Sequence, residues 1–261
     1  PFPIESGLRM NVGIMSHVHF IYYMKNYLPS PFDIDITLNG GYLYTTLARL
    51  SSVIANRRLT QATLSSTSLK GKKVIDIGCG DGVLTFELYK IGKPKKLYGI
   101  DSSKGAIRIA KKFYNRFNNL KFFYADLYNL PKQLKNFDLA IVRGVIHHLP
   151  NPEKAMQSIA GITSTILILD PNGYNPLLKI IEKISPYHRF HKEKSYPPSL
   201  IRKWLNKAGF SVINDKYVSI IPFFFPDTFT VILKPFEPLV ESIPYLRNIL
   251  CGVYVVHAKK L

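Results

Sequence analysis

The sequence predicts an α/β protein built on a doubly wound, mostly parallel, seven-stranded sheet with an N-terminal helical cap and C-terminal insertions. Three observations predict it. Short β-branched runs alternate with longer helical patterns from Lys72 onward. The runs are apolar on both faces, as strands are when helices cover a parallel sheet on each side. Right-handed crossovers between such strands then wind the sheet in two directions from its middle.

The elements follow in order. Residues 1–70 read as a helical cap or lid. Tyr22–Leu28 and Leu43–Ala55 carry helical patterns on either side of the turn Leu28-Pro-Ser-Pro-Phe, and Gln61–Ser68 is a Ser/Thr-rich connector. Residues 71–261 form the core. Strand Val74–Ile77 leads into helix Val83–Ile91, and Leu97–Ile100 into Lys104–Phe117. Lys121–Tyr124 precedes a turn at Pro131, Phe137–Val142 precedes Pro152–Ala160, and Ile166–Leu169 closes the parallel series. Two insertions, about 171–209 and 218–250, interrupt the rhythm on the substrate side. The first holds a turn at Asp170–Pro176, a short apolar helix at Leu177–Ile184 and a helix at Pro198–Ala208 stopped by Gly209. Phe210–Ile213 and Val253–Ala258 are strands. Tyr217–Leu250 between them is aromatic and Pro-rich, irregular or a second cap.

Composition narrows the function classes. The 261 residues, 46% hydrophobic and 20% charged, suffice for one large domain with a cap. No run reaches ~18 apolar residues, so no membrane span is expected, and the N-terminus lacks a signal-peptide pattern. Cys79 and Cys251 form neither a disulfide framework nor a metal-spacing pattern, which points to a reducing cytoplasm. The net charge of +18 attracts polyanions, meaning nucleic acid or an anionic membrane face. The lysines are scattered, with no run of five, so composition alone also accounts for them.

Four motifs carry chemistry. In Val74-Ile-Asp-Ile-Gly-Cys-Gly-Asp-Gly-Val, a strand runs into Gly78, Gly80 and Gly82 and a helix opens directly after. Glycine permits the sharp turn and the close approach of a ligand, and the helix N-terminus offers N–H groups. The alternating glycines differ from the dinucleotide fingerprint. Asp76 at the strand end disfavours a pyrophosphate, and a ligand carrying both an amino group and a carboxylate suits the loop better. In Tyr98-Gly-Ile-Asp-Ser-Ser, Asp101 ends the next strand, where a carboxylate can accept hydrogen bonds from a ribose diol. Its alternative role is to cap the following helix, which Ser102 can also fill. Asp126 in Ala-Asp-Leu suits an exocyclic purine amine, or a plain turn. After Phe137-Asp-Leu-Ala-Ile-Val, the residues from Arg143 to Leu149 line the crevice mouth. His147 and His148 there are proton acceptors or a structural turn.

Taken together, these motifs resemble the class I S-adenosylmethionine-dependent methyltransferases, nearest the small-molecule branch called type 11 or UbiE-like, over about Lys72 to Leu169. The resemblance implies a Rossmann-like sheet with S-adenosyl-L-methionine as methyl donor and S-adenosyl-L-homocysteine as product. It implies that Asp76, Gly78, Cys79 and Gly80 hold the methionine moiety, Asp101 and Ser102 the ribose, and Asp126 and Leu127 the adenine. Arg143 stands beside the cofactor where the family has a small or polar residue. His148, with His147 second, is the candidate base for an in-line displacement.

Tyr174, Asn175, His188, Arg189 and His191 follow the last central strand and are substrate-side candidates. Arg189 can pair with a phosphate or carboxylate. His188 and His191 have the spacing of a metal pair, but no third ligand is evident, so no metal is expected. The aromatic load of 218–250 favours a small-molecule or lipid-like acceptor and peripheral contact with an anionic membrane. An RNA methyltransferase, favoured only by the charge, and a non-catalytic cofactor-binding module are the alternatives.

Overall fold

The computed structural model describes residues 49–191 and 193–260, together with Phe32, Asp33, Ile36, Gly41, Tyr42 and Thr45. The helix expected at Tyr22–Leu28 and most of the expected cap lie outside the described residues.

Helix α1 (Leu50–Ser66) leads into the alternating core: β1 (Lys73–Ile77), α2 (Val83–Gly92), β2 (Lys96–Asp101), α3 (Lys104–Tyr114), β3 (Leu120–Tyr124), β4 (Leu139–Arg143), α4 (Pro152–Ala160) and β5 (Thr165–Pro171). Helices α5 (Pro176–Ile184), α6 (Pro186–Phe190) and α7 (Pro198–Lys207) precede β6 (Phe210–Val218). Helices α8 (Asp227–Leu233), α9 (Glu237–Ser242) and α10 (Leu246–Leu250) precede β7 (Val253–Lys260). The seven strands form one sheet in the order β3-β2-β1-β4-β5-β7-β6. The first five run parallel, and β7 is antiparallel to both β5 and β6.

Strand burial explains the parallel core. In β4, Leu139 and Ile141 belong to the apolar cluster on one face of the sheet, while Ala140 and Val142 belong to the cluster on the other. Strand β1 divides likewise, Val74 to one side and Ile75 and Ile77 to the other. Each fully buried Ile, Leu or Val contributes about 1.5–3 kcal/mol, so helices must cover both faces.

Strand β1 pairs with β2 on one side and β4 on the other, Asp76 standing opposite Gly99 and Ile141. The winding direction reverses between β1 and β4, and a crevice opens there at the carboxyl ends of the strands.

Two sequence expectations need correction. The Ser/Thr-rich stretch Gln61–Ser68 is not a connector: α1 continues to Ser66. Its Ala55, Leu59 and Ala62 are buried, and the Thr63 and Ser66 hydroxyls donate back to the Leu59 and Ala62 carbonyls. Those bonds let hydroxyl side chains sit inside a helix. The stretch 217–250 is not irregular. It begins with the end of β6, which runs on to Val218 past a bulge between Val212 and Asn214, and then carries α8, α9 and α10.

The tightest point is the turn after β1. Gly78 has φ +74°, and a Cβ added there would lie 2.2 Å from Val145 Cγ2. Gly78→Ala therefore meets both left-handed strain, about 1–2 kcal/mol, and a steric clash. We expect it to lower the melting temperature by several degrees. Val145→Ala in the same chain should restore the steric part but not the backbone part, and thermal unfolding of the single and double variants measures the split.

Candidate active site

The crevice holds a cavity of about 530 Å³ that runs from the glycine turn to the loop after β5. Its size falls in the range of small-molecule sites.

At one end, the turn after β1 places Gly78, Cys79 and Gly80 in the cavity wall. Gly80 has φ +56°, and its missing side chain makes room for the ring of Tyr42, whose Cε2 would lie 2.6 Å from a Cβ. The helix N-terminus after this turn is already occupied. Asp81 is buried, and its Oδ1 accepts from the Val83 N–H at 3.2 Å while Oδ2 accepts from the Thr45 hydroxyl at 2.5 Å and the Tyr42 N–H at 3.2 Å. A carboxylate of the chain thus sits where an external phosphate would bind.

Asp101, at the end of β2, is held by its neighbours. The Gly80 N–H donates to Oδ2 at 2.9 Å and the Ser103 N–H to Oδ1 at 2.8 Å. Burial pushes its pKa up to about 6, and the two backbone N–H groups only partly offset that. Ser103, rather than Ser102, caps α3, its hydroxyl oxygen accepting from the Ala106 N–H at 3.0 Å. Ser102 is left lining the cavity, as are Asp126 and Leu127. Asp126 Oδ1 accepts from the Tyr128 N–H at 2.9 Å and so also shapes its turn.

Asp76 lies deeper and is fully buried. Its Oδ2 accepts from the Thr85 hydroxyl at 2.5 Å. Burial raises its pKa, and the charge of Arg143 and the Thr85 hydrogen bond oppose the rise. Arg143, at the end of β4, is half-buried. Burial lowers its pKa against the opposing charges of Asp76 and Glu87, and its Nη1 donates to Thr60 Oγ1 at 3.4 Å.

At the other end, a 3₁₀ turn over Ile146–His148 carries the two histidines into the cavity. His147 Nδ1 is 3.0 Å from Asp170 Oδ1, which also accepts from the Ile146 N–H at 3.0 Å. Burial brings the His147 pKa down to about 3 and drives that of Asp170 well up. Burial thus disfavours the imidazolium form of this ring, whose Nδ1 stands toward Asp170. His148 is shifted downward for the same reason, and its Nδ1 is buried without a hydrogen-bond partner among the described residues. The Phe32 ring packs edge-on against His148 at 4.9 Å between centroids.

The other substrate-side candidates divide. His188 lines the cavity and its Nε2 is 3.3 Å from Glu193 Oε2. Asn175 also lines it, but its side chain is engaged within the chain. Oδ1 accepts from the Leu177 and Leu178 N–H groups, and Nδ2 donates to the Leu250 carbonyl at 3.1 Å. Tyr174, Arg189 and His191 stand outside the cavity wall. Tyr174 and Arg189 are exposed, and His191 is buried with Nδ1 3.0 Å from the Tyr187 carbonyl.

Sequence reasoning missed Asp170, Glu193 and Tyr42. Asp170 ends a strand just as Asp76 and Asp101 do, a signal that was available. Glu193, between Lys192 and Lys194 in the sequence, looks like any solvated loop residue. The expectation of no metal rested on a missing third ligand. In the structure a nitrogen from each of His147 and His148 and a Glu193 oxygen all lie within 4.8 Å of one another.

Comparison with known proteins agrees with this geometry. The methyltransferase domain family matches residues 68–210. The ubiquinone biosynthesis O-methyltransferase of Coxiella burnetii is 31% identical over 96 residues, which is 36% of this chain and 40% of that protein, so the match spans well under half of the relative. Among solved structures, the methyltransferase in complex with the Haloferax volcanii Trm112 methyltransferase activator is 17% identical with a TM-score of 0.63, over 88% of this chain and 97% of that one. The magnesium protoporphyrin IX methyltransferase of Synechocystis PCC 6803, with bound S-adenosylhomocysteine, is 17% identical with a TM-score of 0.57, over 81% and 84% of the two chains. A matched family that covers more than half of the sequence, on a sheet wound as its strand-end motifs require, places this chain in the methyltransferase domain family, among the class I S-adenosylmethionine-dependent enzymes.

Proposed function

We propose that the protein moves a methyl group from S-adenosylmethionine to a small, lipid-like acceptor and releases S-adenosylhomocysteine. One observation carries the reading: a single cavity joins the glycine turn and the strand-end carboxyls Asp76, Asp101 and Asp126 to the histidine pair. In this reading Asp101 and Ser102 take the ribose hydroxyls, and Asp126 with Leu127 faces the adenine. Asp76, Gly78, Cys79, Gly80 and Arg143 surround the methionine end. The sulfonium supplies an electrophilic methyl already activated by its charge. The chain supplies alignment and exclusion of water, with Phe32, Tyr42 and Thr45 of the N-terminal cap closing over the site. His147 and His148 meet the nucleophilic atom of the acceptor. As isolated bases they are weak, because burial disfavours the imidazolium.

The acceptor end is apolar. Leu177, Leu178, Leu250 and the segment 220–224 line it. The two insertions that build it also turn apolar side chains outward, among them Ile180, Ile184, Val231 and Leu239, with Ile184 at 68% exposed. Exposed apolar surface on a chain of net charge +18 suits an anionic membrane face, from which an apolar acceptor can enter. No described helix is long and apolar enough to cross a membrane.

Three outcomes are expected. Asp101→Ala should weaken S-adenosylhomocysteine binding by about 1.5–3 kcal/mol, the range for charge-assisted hydrogen bonds, or roughly 10- to 150-fold by calorimetry; an unchanged affinity ends the cofactor assignment. Binding should also weaken with acid. Asp101 must be ionised to accept from the ribose, and its raised pKa of about 6 means that affinity holds at pH 7.5. It should fall by about tenfold per unit below pH 6, and titrations at pH 7.5 and pH 5 check the sign. Finally, the protein should co-sediment with phosphatidylglycerol vesicles at low salt, and Ile180→Asp with Ile184→Asp should cut the bound fraction severalfold. No pelleting of the unmodified protein would remove the membrane reading.

A further inference from the structure

At the acceptor end of the cavity the two histidines are joined by a carboxylate that methyl transfer alone does not call for. His147, His148 and Glu193 reach one point from two separate segments, the turn after β4 and the loop after α6, with one donor atom from each inside a 4.8 Å span. Two imidazoles and one carboxylate make the donor set that holds first-row divalent transition metals, zinc and iron above all.

The surroundings point the same way. A metal-ligating histidine normally donates its second nitrogen to a carboxylate, which fixes the ring and its tautomer. His147 does this: Nδ1 faces Asp170 Oδ1 at 3.0 Å, leaving Nε2 for a ligand. Asp170 is fully buried, and its Oδ2 has no hydrogen-bond partner among the described residues. His188 holds the Glu193 carboxylate, with Nε2 3.3 Å from Oε2 and its own Nδ1 2.9 Å from the Ser185 hydroxyl. His148 brings a buried Nδ1 that finds no partner in the described chain.

We propose that His147, His148 and Glu193 bind one divalent transition-metal ion at the acceptor end of the cavity, oriented by Asp170 and His188. The ion faces the space assigned to the acceptor, so this inference rests on the methyltransferase reading for its role but not for its existence. Its charge stabilises a deprotonated acceptor oxygen, whose proton passes to water.

The test is titration of the tag-free full chain with Zn²⁺ by calorimetry and with Co²⁺ by visible absorption, each sample also titrated with S-adenosylhomocysteine. One Zn²⁺ per chain should bind at micromolar or tighter affinity, and Co²⁺ should develop a d–d band. His148→Ala and Glu193→Gln, at half-buried positions where folding should survive, should each weaken Zn²⁺ at least tenfold and abolish the band while still binding S-adenosylhomocysteine. Absence of stoichiometric Zn²⁺ binding by the unmodified protein overturns the proposal, as does wild-type affinity in either variant. Zn²⁺ binding without any S-adenosylhomocysteine binding leaves the metal site standing and sinks the methyltransferase reading instead.

Discussion

Carboxyl groups withdrawn from water at the open end of a parallel sheet set the terms for what surrounds them. A buried charge left without partners costs several kcal/mol, and this crevice contains Asp76, Asp81, Asp101 and Asp170. Each recruits a different part of the chain. Asp76 draws on Thr85 and Arg143, Asp81 on Thr45 and the Tyr42 and Val83 amides, Asp101 on the Gly80 and Ser103 amides, and Asp170 on the Ile146 amide and His147. The turn geometry, the docking of the N-terminal segment and the pose of the histidines all answer to that requirement. The pocket is shaped as much by these internal obligations as by any ligand.

Much of this was legible before any coordinates. Strand-end Asp76, Asp101 and Asp126, the glycine spacing and the His-His-Leu turn are local patterns, and local patterns survive in a single sequence. The parallel core was readable because β4 is apolar on both faces over Leu139–Val142, and β1 is apolar on both faces at Val74, Ile75 and Ile77. What escaped was set at long range. The extension of α1 through Ser66 depends on Ala and Leu side chains finding the core, which propensity does not reveal. The approach of Glu193 to His147 and His148 depends on how the first insertion folds back. The capture of Asp81 by Tyr42 and Thr45, 39 and 36 positions upstream, leaves no trace in spacing.

The two ends of the cavity have different physical characters. The end at the glycine turn is built from backbone turns and fixed carboxyls on the strand ends. The other end is lined in part by the two insertions, and these are tied to each other. Asn172 Nδ2 donates to the Asn248 and Cys251 carbonyls, and Asn175 Nδ2 to that of Leu250. These bonds join the two insertions into one piece around the β5 loop. Sequence change within that piece can reshape this end of the cavity while the sheet and the glycine turn stay as they are.

The place of β7 has a consequence for how the chain matures. It lies between β5 and β6, so β6 has no neighbour in the sheet until a strand some 40 residues further along the chain arrives. Until then the flank of β5 and the whole of β6 present open hydrogen-bonding edges to other chains. A nascent or clipped polypeptide ending ahead of Val253 would expose both, and unpaired edges of that kind are where chains pair wrongly with one another.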